Sequence, residues 1–96
     1  MARIFEKILT KIDKEKELKI SYGASLLPSY DADLYVKDRS TGNVLQFEYK
    51  VSGKAKPIIR GREWRNFIGS YGEGAMITLY EYKGSDANCE ILVVRN

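Results

Sequence analysis

Histidine is absent from this chain of 96 residues, and cysteine occurs once, as Cys89. Without histidine the chain lacks the commonest general base and metal ligand, and Cys89 has no partner that would activate its thiol. A single cysteine also excludes an internal disulfide, which is typical of a reduced, intracellular protein. We therefore expect no enzymatic activity, no cofactor and no metal, and we expect Cys89 to pack in the last strand.

Long apolar runs are also absent. No segment approaches the roughly 20 apolar residues that a membrane-spanning helix needs, and the N-terminus lacks the apolar stretch of about 7–15 residues found in signal peptides. Hydrophobic residues nevertheless make up 44% of the chain, enough to build the core of one domain spanning residues 1–96. The sequence therefore predicts a single folded domain with no membrane association.

The positive charge of the chain is concentrated in one segment. Residues 50–65 contain six Lys or Arg and one acid, Glu63, so they carry a net charge of +5 while the whole chain carries +3. The remainder of the chain is therefore net negative. Because the distribution of charge says more about partners than its total, this basic segment is the feature that a function must explain.

Alternating apolar and polar residues indicate about seven short strands, separated by clusters of glycine and small polar residues. The predicted strands are residues 4–9, 18–20, 33–37, 44–51, 58–59, 76–82 and 89–94, with hairpin loops at 38–43 and 83–88. Trp64, Phe67 and Ile68 have the spacing of a helix that docks one apolar edge, and residues 24–27 predict a helical turn that ends before Pro28. The chain is thus predicted to be a mainly β sandwich or barrel with two short helices.

The apolar positions of these elements define the predicted core. Trp64 and Phe67 belong to it because large aromatic side chains dominate core burial, and we expect them to hold the basic segment in place rather than to contact a ligand. The predicted core residues are Ile4, Leu9, Leu18, Ile20, Leu34, Val36, Leu45, Phe47, Tyr49, Trp64, Phe67, Ile77, Leu79, Ile91 and Val93.

A first charged segment, residues 10–18, separates the first two predicted strands. It contains three lysines and three acids but only two apolar residues, Ile12 and Leu18. A helix has the propensity to form there, yet nothing in the pattern would hold it to a core. We therefore predict an exposed arm.

A second charged segment follows the predicted strand 44–51. It is predicted to turn at Ser52 and Gly53, because glycine adopts the backbone angles of a tight turn. Lys54 and Lys56, two residues apart, would point the same way from an extended backbone. This segment is therefore predicted to be a basic turn carried by a folded scaffold.

The order and spacing of these segments resemble the plant-specific B3 DNA-binding domain over nearly the whole chain. The best-matching parts are the entry strand that ends in Leu9 and Thr10, and the spacing from Phe47 to Trp64. The resemblance implies a seven-stranded open pseudobarrel with two short helices, which binds double-stranded DNA sequence-selectively through two arms in the major groove. It also implies a nuclear regulator of transcription in a plant.

The resemblance places the first arm at residues 10–18 and the second arm at residues 52–57. Lysines on these arms would neutralise phosphates and release counterions, while contacts to base edges would select the sequence. The candidate DNA-binding residues are Thr10, Lys11, Lys14, Lys16, Lys50, Ser52, Gly53, Lys54, Lys56 and Arg60.

The chain departs from the B3 pattern at several positions. Asp13, Glu15 and Glu17 are acids in the first arm and would repel phosphate. Ser21 stands where the family has a proline, and Ser52 stands where many members have an aromatic residue or arginine at the tip of the second arm. The family's preferred DNA sequence is therefore not expected to carry over.

The alternative is a protein-interaction module on the same barrel, with weak or no DNA binding. The chain has seven tyrosines, and tyrosine is enriched at interfaces. Three tyrosines are expected to be partly exposed, and four acids of the C-terminal third would form a face for a basic partner. These residues are Tyr71, Tyr80 and Tyr82, and Glu73, Glu81, Asp86 and Glu90. The sequence leaves the oligomeric state open.

Overall fold

The computed structural model describes residues 2–51 and 56–95 of the chain. These residues contain seven strands, two α-helices and one 3₁₀ turn. The strands are β1 (Arg3–Ile8), β2 (Leu18–Lys19), β3 (Ala32–Asp38), β4 (Val44–Lys50), β5 (Ile58–Arg60), β6 (Met76–Glu81) and β7 (Cys89–Val94). The helices are α1 (Lys11–Glu15) and α2 (Arg62–Ile68), and the 3₁₀ turn is Ala24–Leu26. The predicted strands, the helical turn after residue 23 and the helix around Trp64 are confirmed.

The strands form one sheet in the order β1-β6-β7-β3-β4-β5-β2, which curls into an open barrel. Neighbouring strands are antiparallel except β3 and β7, which run parallel. The predicted hairpins β3–β4 and β6–β7 are both present. In the first hairpin loop the Asp38 carboxylate accepts hydrogen bonds from the Ser40 N–H and the Thr41 hydroxyl, and Gly42 has a φ of 79° that favours glycine.

The inner face of the sheet carries the core, and most of the predicted core residues are buried. Leu45 and Phe67 are only partly buried and pack against its side. Phe5 was not predicted to be inside, yet it is buried next to Ile4, because the β1–β6 register shifts between Arg3 and Phe5 and breaks the alternation. The other buried apolar residues missing from the list of predicted core residues are Ile59, Ile68, Ala75 and Cys89, of which Cys89 was expected to pack in the last strand.

Trp64 lies at the centre of the core, as predicted, and is fully buried. Its ring meets the Phe47 ring edge-on at a centroid distance of 5.3 Å, and Phe67 packs against both rings. Such edge-to-face pairs add to the free energy gained from burial alone. Helix α2 is thus fixed to β4, the strand that leads into the second arm.

The outer edge of β1 is covered by the segment that follows β2. The Tyr22 hydroxyl donates to the Glu6 carbonyl at 2.8 Å and accepts from the Glu6 N–H at 3.1 Å. A Cβ at Gly23 would collide with the Ile4 carbonyl oxygen, so only glycine fits this close approach. These contacts occupy backbone groups that an edge strand otherwise presents to other chains.

No helix in the described parts is long and apolar enough to cross a membrane.

Candidate nucleic-acid interface

The first arm differs from the prediction of an exposed, unanchored segment. Residues Lys11–Glu15 form helix α1, and Thr10 caps its N-terminus. The Thr10 N–H donates to the Asp13 carboxylate at 2.9 Å, while the Asp13 N–H donates to the Thr10 hydroxyl at 3.4 Å. This reciprocal capping box satisfies two backbone donors that a short helix would leave unpaired.

Two contacts from outside the arm hold α1 to the barrel. The Trp64 indole N–H donates to the Asp13 carbonyl oxygen at 2.9 Å, and the Lys7 ammonium lies 2.8 Å from the Asp13 carboxylate. Asp13 is only 2% exposed. The expectation that Asp13 repels phosphate is therefore wrong, because its carboxylate points inward and is neutralised by Lys7.

The remaining charges of the first arm are exposed or partly exposed. Lys11 and Lys16 are exposed, and Lys14 is partly buried. Lys11 lies 3.9 Å from Glu15 in a loose ion pair between exposed side chains, which contributes little. Across the described residues, Lys14 and Lys16 form no ion pair. The Thr10 hydroxyl is engaged in the helix cap.

The second arm lies in the sequence between the end of β4 at Lys50 and the start of β5 at Ile58. Ser52, Gly53 and Lys54, with the predicted turn, lie outside the described residues. Its base is anchored because the Val51 N–H donates to the Asp31 carboxylate at 2.7 Å.

The candidate cations beside the second arm differ in their surroundings. Lys56 is exposed and Lys50 is partly buried, and neither forms an ion pair within residues 2–51 and 56–95. Arg60, by contrast, lies 3.4 Å from the Glu48 carboxylate on the outer face of the sheet. Arg60 is therefore the least available of the predicted DNA-binding cations that the structure describes.

The strands that follow the two arms, β2 and β5, are neighbours in the sheet. Leu18, at the end of the first arm, pairs with Ile59, just after the second. The Ile20 N–H extends this contact by donating to the Pro57 carbonyl at 2.9 Å. The two arms are therefore joined to neighbouring strands, and because these strands are antiparallel the arms enter the short pair at opposite ends.

An open cleft of about 550 Å³ lies on the outer face beside α2. Acidic and basic side chains alternate along it, so it does not carry the single sign of charge that favours a polyanion. Its lining residues are Asp33, Gln46, Glu48, Lys50, Gly61, Arg62 and Glu63.

The acidic face that was expected to dock a basic partner is partly occupied from within the chain. Glu90 is 8% exposed, and its carboxylate accepts from Arg39 at 2.8 Å. Asp86 binds the Tyr82 hydroxyl at 2.7 Å and the Lys37 ammonium at 3.2 Å. These two contacts, with the hydroxyl first, lower the pKa of Asp86. Glu90 and Asp86 are therefore already paired within the chain, and Tyr71, Tyr80 and Tyr82 are partly exposed as predicted.

Cys89 packs at the start of β7, as expected, and burial raises the pKa of its thiol to about 12. A thiol that stays protonated at neutral pH is a poor nucleophile. Among the residues that the structure describes, no three Cys, Asp or Glu side chains are grouped to hold a metal ion.

Comparison with known proteins finds no matching family model and no matching curated protein. The fold does match a solved structure, an Arabidopsis FUS3–DNA complex, with a TM-score of 0.72 and 15% sequence identity. The match covers 97% of this chain and 97% of that chain. It confirms the predicted fold: a mainly β, seven-stranded open pseudobarrel with two helices, like that of a B3 domain.

Proposed function

We propose that this domain binds double-stranded DNA sequence-selectively through its two arms, as part of a plant transcription regulator in the nucleus. The observation that supports the proposal is the β2–β5 pairing, because the strands that follow the two lysine-bearing arms are neighbours in the sheet. A protein of the same fold has been solved in complex with DNA. The residues proposed to contact DNA are those predicted from the sequence. Asp13 no longer counts among the acids that would repel DNA phosphates.

Unpaired lysines are suited to this role because they lose no internal partner when they meet a phosphate. Each phosphate that a lysine neutralises releases counterions and strengthens binding to any DNA sequence. Lysine also reaches guanine O6 and N7 in the major groove, although without the planar fork of arginine. On this proposal the lysines supply affinity, and one or more of them contributes sequence preference.

The capped and anchored helix α1 favours tight binding. A segment that is ordered only on binding loses conformational freedom at that step, which weakens the complex. The Trp64 and Lys7 contacts to Asp13 already order α1 in the free protein. The first arm would therefore dock without a large ordering penalty.

One observation favours the alternative, a protein-interaction module. Ile8, Met76 and Val94 lie opposite one another on the adjacent strands β1, β6 and β7. Ile8 is 49% exposed and Val94 is 55% exposed. Contiguous exposed apolar residues are typical of protein contacts, so this row is the surface that the alternative would use.

The test begins with selection of a duplex from a random DNA library, followed by fluorescence titration at two salt concentrations. Lys54→Ala with Lys56→Ala should weaken binding and flatten the slope of log affinity against log salt by up to about 2, because each phosphate contact contributes about 0.9. Lys83→Ala, in the β6–β7 turn, controls for loss of charge elsewhere. An unchanged slope in the double variant would remove the second arm from the interface, and failure to select any duplex would favour the alternative.

A further inference from the structure

Three residues form a row across the strands that join the two arms. Lys50 of β4 pairs with Ile58 of β5, and Ile58 pairs in turn with Lys19 of β2. Directly paired residues of antiparallel strands point to the same face of the sheet. Lys19 and Lys50 therefore lie on one face, on either side of Ile58.

The neighbouring row shows which face this is. Tyr49, Ile59 and Leu18 are paired across the same strands and are each fully buried. Because successive side chains of a strand alternate between faces, Lys50, Ile58 and Lys19 face outward. The two lysine Cα atoms are about 10 Å apart, since neighbouring strands lie about 4.8 Å apart.

The charges around this row leave Lys19 available. Lys19 is exposed and forms no ion pair within the described parts of the chain. The nearby acid Glu48 is paired with Arg60, and the Asp31 carboxylate accepts the Val51 N–H. The residue between the two lysines is apolar, so no acid separates them within the row, whereas Asp33 and Glu48 line the same cleft as Lys50 on the side away from Lys19.

On the basis of the proposed function, we propose that Lys19 and Lys50 form a phosphate-binding floor between the two arms. Lys19 is absent from the predicted site because it lies outside both basic segments. Each lysine would bind one phosphate of the duplex that the arms engage. Phosphate contacts position a protein without selecting sequence, so Lys19 would contribute affinity and salt dependence but no base preference.

The experiment measures binding of wild type, Lys19→Ala and Lys83→Ala to the selected duplex and to a scrambled duplex. Lys19→Ala should flatten the salt slope by about 0.9 on both duplexes. When the salt concentration rises from 50 to 200 mM, the fold-loss of affinity should therefore be about 3- to 4-fold smaller for the variant than for wild type. Lys83→Ala should keep the wild-type slope.

Two further variants separate charge from folding. Lys19→Gln keeps most of the side chain in the short strand β2 and should flatten the slope as alanine does, whereas Lys19→Arg should preserve the slope. If wild type binds and Lys19→Ala or Lys19→Gln retains the wild-type slope, the phosphate floor is wrong while the proposed function stands. If wild type binds neither duplex at any salt concentration, the proposed function fails and the floor fails with it.

Discussion

The outer face of the sheet has two regions with basic residues, which differ in whether those residues form ion pairs with acids of the described chain. Around β3 and β7, Lys37 and Arg39 bind the carboxylates of Asp86 and Glu90 at 3.2 and 2.8 Å. At the junction of β4, β5 and β2, by contrast, Lys50 and Lys19 have no acidic partner among the described residues. The number of lysines and arginines is therefore a poor guide to which surface can meet a polyanion.

The surroundings of each lysine explain the difference. Lys37 lies opposite Glu90 in the parallel β3–β7 pair and forms its ion pair with Asp86 of the β6–β7 loop, and Tyr82 adds a hydroxyl and an aromatic ring beside its ammonium. The neighbour shared by Lys19 and Lys50 is Ile58. Opposite charges across a strand pair stabilise the sheet, whereas an apolar neighbour leaves a lysine free for an external partner. We call these regions the paired face and the basic junction.

The largest expected effect is a loss of stability of the whole domain, which would also disorder the basic junction. Trp64→Ala should destabilise the domain by about 3–5 kcal/mol, because it opens a core cavity, and it also removes the hydrogen bond to α1. Urea denaturation measures the change. Trp64→Phe, which keeps a ring and loses the hydrogen bond, should cost less. Normal stability of Trp64→Ala with lost DNA affinity would show that Trp64 is a contact residue and not a core residue.

A smaller loss of stability is expected when only the anchor of the first arm is removed. Asp13→Ala deletes the acceptor of the capping box and the partner of Lys7, and it should destabilise the domain by about 1–2 kcal/mol. Asp13→Asn keeps a side-chain acceptor and should lose about half as much. Thermal or urea unfolding of both variants checks this. Equal stability of Asp13→Ala and wild type would mean that α1 does not depend on Asp13.

Single substitutions in the two regions test the comparison directly. Lys50→Ala removes an unpaired charge of the basic junction and should flatten the salt slope of DNA binding by about 0.9. Lys37→Ala removes a paired charge of the paired face and should leave that slope unchanged. Both variants lose one positive charge, so total charge cannot explain a difference. Equal slopes for the two variants, measured by titration at several salt concentrations, would contradict the comparison.

The smallest expected effect concerns titration on the paired face. The hydroxyl of Tyr82 and the Lys37 ammonium hold the pKa of Asp86 below its ordinary value of 3.8. A carboxylate with a lowered folded-state pKa stabilises the protein above its ordinary pKa, and this contribution is lost as pH falls through the folded-state value. Tyr82→Phe should move the pKa of Asp86 back upward, as measured by carbon NMR titration. An unmoved pKa would show that the hydroxyl is not the main cause.

Local patterns were enough to predict most of the secondary structure. The alternation of residues 44–51 and 76–82 identified β4 and β6, and the spacing of Trp64, Phe67 and Ile68 identified α2. Helix α1 was missed because its anchor, the indole of Trp64, is 51 residues away from Asp13 in the sequence. The burial of Phe5 was missed because a register shift between strands leaves no trace in the alternation.

For the candidate site, too, some features followed from the sequence and others only from the tertiary structure. The sequence alone determined that positive charge would gather in residues 50–65 and that two charged segments would interrupt the strands, because composition and strand period are local properties. Only the tertiary structure decided that Asp13 turns inward, that Arg60 lies beside Glu48, and that Lys19 joins Lys50 beside Ile58. Ion pairs and strand registers link residues distant in the chain, so the availability of a charge is a property of the folded sheet.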